Sequence, residues 1–97
     1  VPIGVDTFAH EALIFDARQV EAVEVLDRKR RRYARVASSA PVWLIWQPAG
    51  KHAPFVCVEP WYGLPDTVDF DGEMPQRPEI QRAAPQETWE GWWTLEV

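Results

Sequence analysis

Apolar residues along this chain come in short runs that glycine, proline and charged residues interrupt, and few stretches keep the 3.6-residue period of a helix. Several runs are rich in β-branched and aromatic residues, which is typical of β-strands. The candidate strands are residues 12–15, 33–37, 41–46, 55–58 and 89–97. The pattern therefore predicts an all-β protein.

Residues 20–26 allow two interpretations. Val23 and Leu26 would share one face of a helix, whereas the alternation that begins at Val23 is that of a strand. We favour a strand, followed by a charged turn at residues 27–31 and a returning strand at residues 33–37. The sequence thus predicts a β-hairpin here.

The segment at residues 55–58 is apolar on both of its faces, which predicts an interior strand covered from two sides. Such strands require two packed sheets, and the few short strands of this chain cannot build both well. We therefore predict that residues 1–97 form a single segment of a larger antiparallel β-sandwich whose other strands lie elsewhere. The tryptophans expected to fill this sandwich are Trp43, Trp46, Trp92 and Trp93.

Composition narrows the class of protein. The chain has 97 residues, of which 46% are hydrophobic and 26% charged, an ordinary globular balance. Its single cysteine, Cys57, excludes an internal disulfide and fits a reducing compartment. With neither a basic-then-apolar leader nor a membrane-length apolar run, we expect a cytoplasmic protein. Residues 60–86 hold five of the nine prolines, which predicts a long ordered loop.

Charge argues against two classes of partner. The net charge is −5, and residues 51–97 carry three Lys or Arg against nine Asp or Glu. An acidic surface is a poor match for phosphate polymers and for anionic membranes. We therefore expect neither nucleic acid nor a membrane as a partner.

The segment at residues 55–63 contains the most informative chemistry. Strand alternation places Glu59 on the same face as Phe55 and Cys57, at the end of a buried apolar strand. A carboxylate beside the flat rings of Trp61 and Tyr62 suits a sugar, whose C–H face stacks on a ring while its hydroxyls need polar partners. The alternative is a structural glutamate paired with an arginine.

The same segment, FVCVEPWYG with residues 44–46 before it, resembles the C-terminal signature of the aldose 1-epimerase (galactose mutarotase) family. Residues 6–15 are similar to a second segment of that family, and residues 85–97 to its final strand pair. The likeness runs over nearly all of this chain but covers only the C-terminal third of the family's β-sandwich.

The resemblance implies an isomerase of carbohydrate metabolism that interconverts the α and β anomers of a free aldose without a metal or an organic cofactor. By the same resemblance Glu59 is the general base, and Asp6 and Trp61 are substrate-binding residues. The family's acid is a histidine in its earlier part, and neither His10 nor His52 matches that motif. This chain alone is therefore expected to be inactive, and a separate N-terminal portion of the same protein is an expected partner.

Two other functions remain open from the sequence. One is a non-catalytic carbohydrate-binding β-module that keeps the sugar surface but lacks the acid. The other is a small adaptor whose basic run at residues 28–32 contacts nucleic acid. Acidic neighbours of that run favour a solvated hairpin turn instead.

An acidic cluster invites a comparison with calcium loops. Its members lie close to Gly72 and are Asp66, Asp69, Asp71 and Glu73. The twelfth position counted from Asp69 is Ile80, where an EF-hand needs a bidentate glutamate. The sequence therefore predicts a solvated acidic loop and no metal site.

Overall fold

The structure is a computed structural model that describes residues 1–4, 6–51, 53–65, 68 and 70–97. Its strands are β1 (Leu13–Phe15), β2 (Ala22–Leu26), β3 (Arg32–Ser38), β4 (Val42–Trp46), β5 (Cys57–Trp61) and β6 (Trp93–Glu96). They form two antiparallel sheets with the orders β1-β4-β5 and β2-β3-β6. The predicted all-β fold with two antiparallel sheets is confirmed.

The core lies around β4, the central strand of the first sheet. Val42 and Trp43 are fully buried there, and Leu44 is 7% exposed. Burying an apolar side chain of this size contributes about 1.5–3 kcal/mol, so the β-branched and aromatic run that predicted β4 also supplies the main stabilisation of this sheet. The buried Ala37 and Ser38 at the end of β3 bring the second sheet to the same region.

The hairpin between β2 and β3 is confirmed, and its turn is organised by Asp27. The Asp27 carboxylate accepts hydrogen bonds from the backbone N–H groups of Lys29 at 2.8 Å and Arg31 at 2.9 Å, and the Arg31 Nε atom donates to it at 2.8 Å. Arg30 adopts a left-handed backbone with φ of 62°. The basic run is thus the exposed tip of a hairpin.

The prediction of an interior strand at residues 55–58 is wrong. The strand is β5, which begins at Cys57 and continues through Pro60, and it lies at the edge of its sheet in the described chain. Phe55 is 49% exposed and lies outside the strand. An edge strand tolerates proline because one side of its backbone needs no N–H for pairing, which explains why Pro60 does not end β5.

The expectation that four tryptophans fill the core is confirmed only for Trp43. Trp46 is 38% exposed, and Trp92 and Trp93 are 55% and 68% exposed. Alternation along a strand shows which side chains share a face, but not whether the same chain supplies a second layer to cover that face. These rings therefore belong to open surfaces of this structure.

The predicted long loop is present between β5 and β6. Apart from a 3₁₀ turn at Met74–Gln76, its described residues lack regular secondary structure. The Leu64 N–H donates to the Pro78 carbonyl at 3.2 Å, and the Trp89 Nε1 atom donates to Gln81 Oε1 at 3.2 Å. These bonds tie distant parts of the loop together.

Two further observations concern the described ranges alone. They contain no helix with the length and apolar composition needed to cross a bilayer. They also contain no cluster of three or more His, Cys, Asp or Glu side chains arranged as metal ligands. Two members of the acidic cluster, Asp66 and Asp69, and the histidine His52 lie outside the described residues.

Candidate functional site

Glu59 lies at the middle of β5, and pairing fixes its neighbours. It is opposite Leu44 of β4, which is in turn opposite Ile14 of β1. Residues paired in antiparallel strands share a face, so the Glu59 carboxylate extends a row of apolar side chains across the sheet. Trp61 lies two residues further along β5 and therefore on the same face.

Trp61 holds the Glu59 carboxylate in place. Its indole Nε1 atom donates a hydrogen bond to Glu59 Oε2 at 3.0 Å, and both residues are half-buried. Pro60, between them, restricts Glu59 to an extended backbone. The two residues singled out from the sequence are thus brought into direct contact.

The second carboxylate oxygen of Glu59 remains available. Within the described residues, Oε1 accepts no hydrogen bond, and no lysine or arginine forms an ion pair with Glu59. The described residues therefore do not support the alternative in which Glu59 is a structural residue paired with an arginine. A carboxylate with one anchored and one free oxygen can accept a proton from a hydroxyl group placed against it.

Asp6 is not brought into contact with Glu59. It is exposed, in a turn where its backbone carbonyl accepts a hydrogen bond from the Ala9 N–H at 3.2 Å. Two residues later Phe8 is 3% exposed and anchors this segment. No hydrogen bond or ion pair within the described ranges involves the Asp6 carboxylate, so its role in substrate binding stays a prediction.

The histidine in the described part of the chain gives no acid partner for Glu59. His10 is exposed, as expected for a surface residue, and no hydrogen bond or ion pair in the described part of the chain joins it to Glu59.

Tyr62 is a residue of this region whose role the sequence did not reveal. Its hydroxyl group contacts the hydroxyls of Ser38, at 3.5 Å, and Ser39, and donates to the Trp92 carbonyl at 3.4 Å. It therefore connects the end of β5 in one sheet to the end of β3 and the start of β6 in the other. Its partners lie 23 to 30 residues away in sequence, which is why no local motif could identify them.

The same contacts perturb the acidity of this phenol. Burial alone would raise the pKa of Tyr62, but hydrogen bonds from Ser38 and Ser39, together with the positive charge of Arg18, outweigh it and hold that pKa below its ordinary value. The result is a phenol that ionises more readily than a free tyrosine.

Gly91 allows Tyr62 and Trp89 to pack closely. The two rings meet edge to face, with centroids 4.9 Å apart. A Cβ atom at position 91 would lie 2.6 Å from Trp89 Cη2 and 2.8 Å from the Tyr62 hydroxyl. Only glycine fits there without displacing the two rings that support the segment after Trp61.

Two of the clefts formed by the described residues lie away from Glu59. The larger, of about 810 Å³, is lined by Leu13, Phe15, Ile45 and Val58 of the first sheet and by β2 of the second. These residues alternate with those of the Glu59 face, so this cleft is on the opposite side of the sheet.

The smaller cleft, of about 400 Å³, is lined by residues 38–40 with Arg18 and Trp92, among others. Glu59 and Asp6 line neither cleft. The Glu59 face is therefore separate from both.

Comparison with known proteins gives one distant relationship. The chain is similar to the LacX proteins of Lactococcus lactis subsp. lactis. The chromosomal and the plasmid LacX proteins are each 27% identical to it over 82 residues, which cover 84% of this chain and 27% of the LacX chain. The chain thus spans about a quarter of the length of these curated relatives.

The other two comparisons are negative. No protein-family model matches the chain, and no solved structure matches it. The similarity to LacX includes the length of chain in which Glu59 and Trp61 lie close to each other.

Proposed function

We propose that this chain provides the general base and part of the sugar-binding face of an aldose 1-epimerase. The observation that carries the proposal is the Glu59 carboxylate, half-buried on a sheet face, with Oε2 fixed by Trp61 Nε1 at 3.0 Å and Oε1 unoccupied by any described residue. A base must be oriented and must keep a free lone pair, and Glu59 combines both properties.

The reaction requires two coordinated proton transfers. Glu59 removes the proton from the anomeric hydroxyl while an acid protonates the ring oxygen, so the bond between C1 and the ring oxygen breaks and a carbonyl forms. Rotation about the C1–C2 bond exposes the other carbonyl face. Reversal of both transfers closes the ring as the other anomer and restores Glu59 and the acid.

The acid lies outside the described site in this proposal. No described histidine contacts Glu59, so the chain alone is proposed to bind an aldose with little turnover. The proposal places this chain and the LacX proteins in one mutarotase-like family. The further chain length of LacX is consistent with an acid supplied by a separate N-terminal portion of the protein. The single thiol, Cys57, fits a reducing, cytoplasmic location.

Chemical rescue tests the base directly. Imidazole catalyses mutarotation in free solution, and as imidazolium it can replace a missing acid. Polarimetry of fresh α-D-galactose or α-D-glucose measures the mutarotation rate at several imidazole concentrations. With the protein present, that rate should rise more steeply with imidazole concentration than without it. Glu59→Gln keeps the shape of the side chain but cannot accept the proton, so it should reduce the protein's contribution by about 10² or more.

A matched control separates this effect from a general loss of charge. Glu24→Gln replaces another carboxylate, which is exposed on β2 of the second sheet, and should leave the steepened dependence unchanged. Circular dichroism of both variants verifies their folding. The proposal fails if wild type adds nothing to the imidazole reaction, or if Glu59→Gln and wild type give the same slope.

A non-catalytic carbohydrate-binding module is the second candidate. Among the described residues, the side-chain partner of the Glu59 carboxylate is Trp61, and no second residue beside Glu59 could donate a proton to the sugar. In that case D-galactose or D-glucose should change the tryptophan fluorescence saturably, and imidazole should give no protein-dependent rate. The two measurements together distinguish the epimerase from the module.

A further inference from the structure

The smaller cleft, of about 400 Å³, combines two opposite charges with apolar surface. Its charged lining residues are Arg18 and Glu21, and Val20, Ala40 and the indole of Trp92 supply apolar surface. No ion pair within the described residues involves Arg18 or Glu21. Small-molecule sites have volumes of about 300–1,000 Å³. The cleft therefore has the size of a small-ligand site and presents two charges that are not paired with each other.

Backbone hydrogen bonds place both charges beside the end of β3 and its link to β4. The Arg18 N–H donates to the Pro41 carbonyl at 3.0 Å, and the Arg18 Nη1 atom donates to the Ser39 carbonyl at 3.2 Å. The Glu21 carbonyl accepts a hydrogen bond from the Ser38 N–H at 3.3 Å. The positions of the two charged residues at the cleft are therefore fixed by the backbone.

The turn that carries Arg18 has an unusual backbone. Ala17 and Arg18 adopt left-handed conformations, with φ of 54° and 57°, and the Gln19 N–H closes the turn on the Asp16 carbonyl at 3.2 Å. Such conformations are uncommon for residues other than glycine, and they cluster at functional sites where the surrounding structure enforces them. The turn holds the arginine at the cleft in spite of this cost.

The guanidinium group of Arg18 keeps donors for a ligand. It has five N–H groups, and among the described residues the Ser39 carbonyl is the acceptor that it reaches. Burial works to raise the pKa of Tyr62, whose hydroxyl contacts two serines of the cleft, and hydrogen bonds from these serines lower it. The positive charge of Arg18 lowers that pKa further. This side of the cleft therefore favours a negative group.

We propose that the smaller cleft binds a free α-amino acid with an apolar side chain. The ligand's carboxylate pairs with the Arg18 guanidinium and its ammonium group with the Glu21 carboxylate, while its side chain packs on the Trp92 ring. A simple anion would leave Glu21 unmatched, and an uncharged ligand would match neither charge. The proposal is independent of the proposed epimerase function, because Glu59 does not line this cleft.

Nuclear magnetic resonance with L-phenylalanine as the probe tests the proposal. In the ¹⁵N-labelled chain, the indole N–H resonance of Trp92 and the Nε–H resonance of Arg18 should shift together and saturably with one dissociation constant. N-acetyl-L-phenylalanine lacks the ammonium charge, and L-phenylalaninamide lacks the carboxylate. Each should bind at least about tenfold more weakly, because one hydrogen-bonded charge contact is lost.

Variants assign the two charges. Arg18→Gln and Glu21→Gln should each weaken L-phenylalanine binding at least about tenfold, followed at the Trp92 indole. Both side chains are exposed, so both variants should fold, and circular dichroism verifies it. Arg28→Gln is the matched control and should leave the affinity unchanged, since Arg28 is exposed and lines the other cleft.

Four outcomes would overturn the proposal. The first is that L-phenylalanine leaves the Trp92 indole resonance unchanged. The second is that N-acetyl-L-phenylalanine binds as tightly as L-phenylalanine, which would indicate a simple anion site. The third is that D-galactose shifts the Trp92 resonance with equal or greater affinity, which would indicate a sugar site. The fourth is that Arg28→Gln weakens binding as much as Arg18→Gln.

Discussion

The indole of Trp61 has two functions in the proposed site, and only one of them depends on its N–H group. In the proposal the ring offers a flat surface to a sugar, whereas the N–H fixes Glu59 Oε2 at 3.0 Å. A hydrogen bond to a charged acceptor is stronger than one between neutral groups. The orientation of the base therefore depends on an atom that phenylalanine lacks.

Trp61→Phe should separate these two functions. The ring surface remains, so we expect the dissociation constant for D-galactose, measured by fluorescence, to change by less than about threefold. Loss of the N–H should lower the imidazole-dependent rate by about tenfold, corresponding to roughly 1.4 kcal/mol of lost orientation. Trp89→Phe removes an indole N–H that donates to Gln81 instead, and should leave that rate unchanged.

The ionisation of Tyr62 gives a second test at this scale. Its pKa lies below the ordinary value of about 10, so ultraviolet titration at the phenolate band should show a first transition below that pH. Tyr62→Phe should remove this transition and Tyr33→Phe should retain it. A first transition that survives Tyr62→Phe would contradict the hydrogen-bonded arrangement with Ser38 and Ser39.

The same shift has a defined effect on stability. A phenol whose folded-state pKa is lowered stabilises the fold fully above the unfolded pKa of about 10, and that contribution is lost as the pH falls through the folded pKa. The difference in the free energy of unfolding between wild type and Tyr62→Phe should therefore grow as the pH rises towards 10. Urea denaturation at several pH values measures it.

At the scale of secondary structure, the β2–β3 hairpin depends on Asp27. The backbone N–H of Arg31 is the main cause that lowers the pKa of Asp27, with further hydrogen bonds from the Arg31 side chain and the Lys29 backbone. The Asp27 carboxylate therefore stabilises the folded state fully above the unfolded-state pKa of about 4. This stabilisation is lost as the pH falls through the lower pKa of the folded state.

Asp27→Asn should therefore lower the melting temperature at neutral pH and flatten the loss of stability below about pH 4. Thermal melts followed by circular dichroism measure both effects. Asp16→Asn serves as the control, because the Asp16 carboxylate accepts a hydrogen bond from the Gln19 side chain and lies outside the turn at residues 27–31. Equal melting curves for Asp27→Asn and wild type would show that the turn does not depend on the carboxylate.

The predictability of the strands followed the strength of their local pattern. The β4 run and the β2–β3 hairpin were predictable because their side-chain alternation and turn chemistry are contained in a few adjacent residues. The bounds of β5 were not, since the middle of a regular strand accommodates a proline such as Pro60 at a sheet edge, and sheet position is not a local property. The contact between Glu59 and Trp61 followed from their spacing of two residues, whereas the Tyr62 contacts join distant segments.

At the scale of the whole molecule, the exposed tryptophans and the open cleft share one explanation. Alternation along a strand predicts which side chains share a face, whereas the layer that covers this face comes from other segments, and the described residues leave such faces partly open. That is why Trp92 and Trp93, expected to be buried, are exposed on this structure.

The central claim is that a sugar binds against Glu59 and Trp61, and nuclear magnetic resonance of these two side chains tests it most directly. With the glutamate carboxyl carbons labelled, titration with D-galactose should shift the Glu59 carboxyl resonance and the Trp61 indole N–H resonance together and saturably. Glu24, on β2 of the other sheet, should not shift. If both resonances of the pair stay unchanged at sugar concentrations that saturate the tryptophan fluorescence, the sugar binds elsewhere and the claim is wrong.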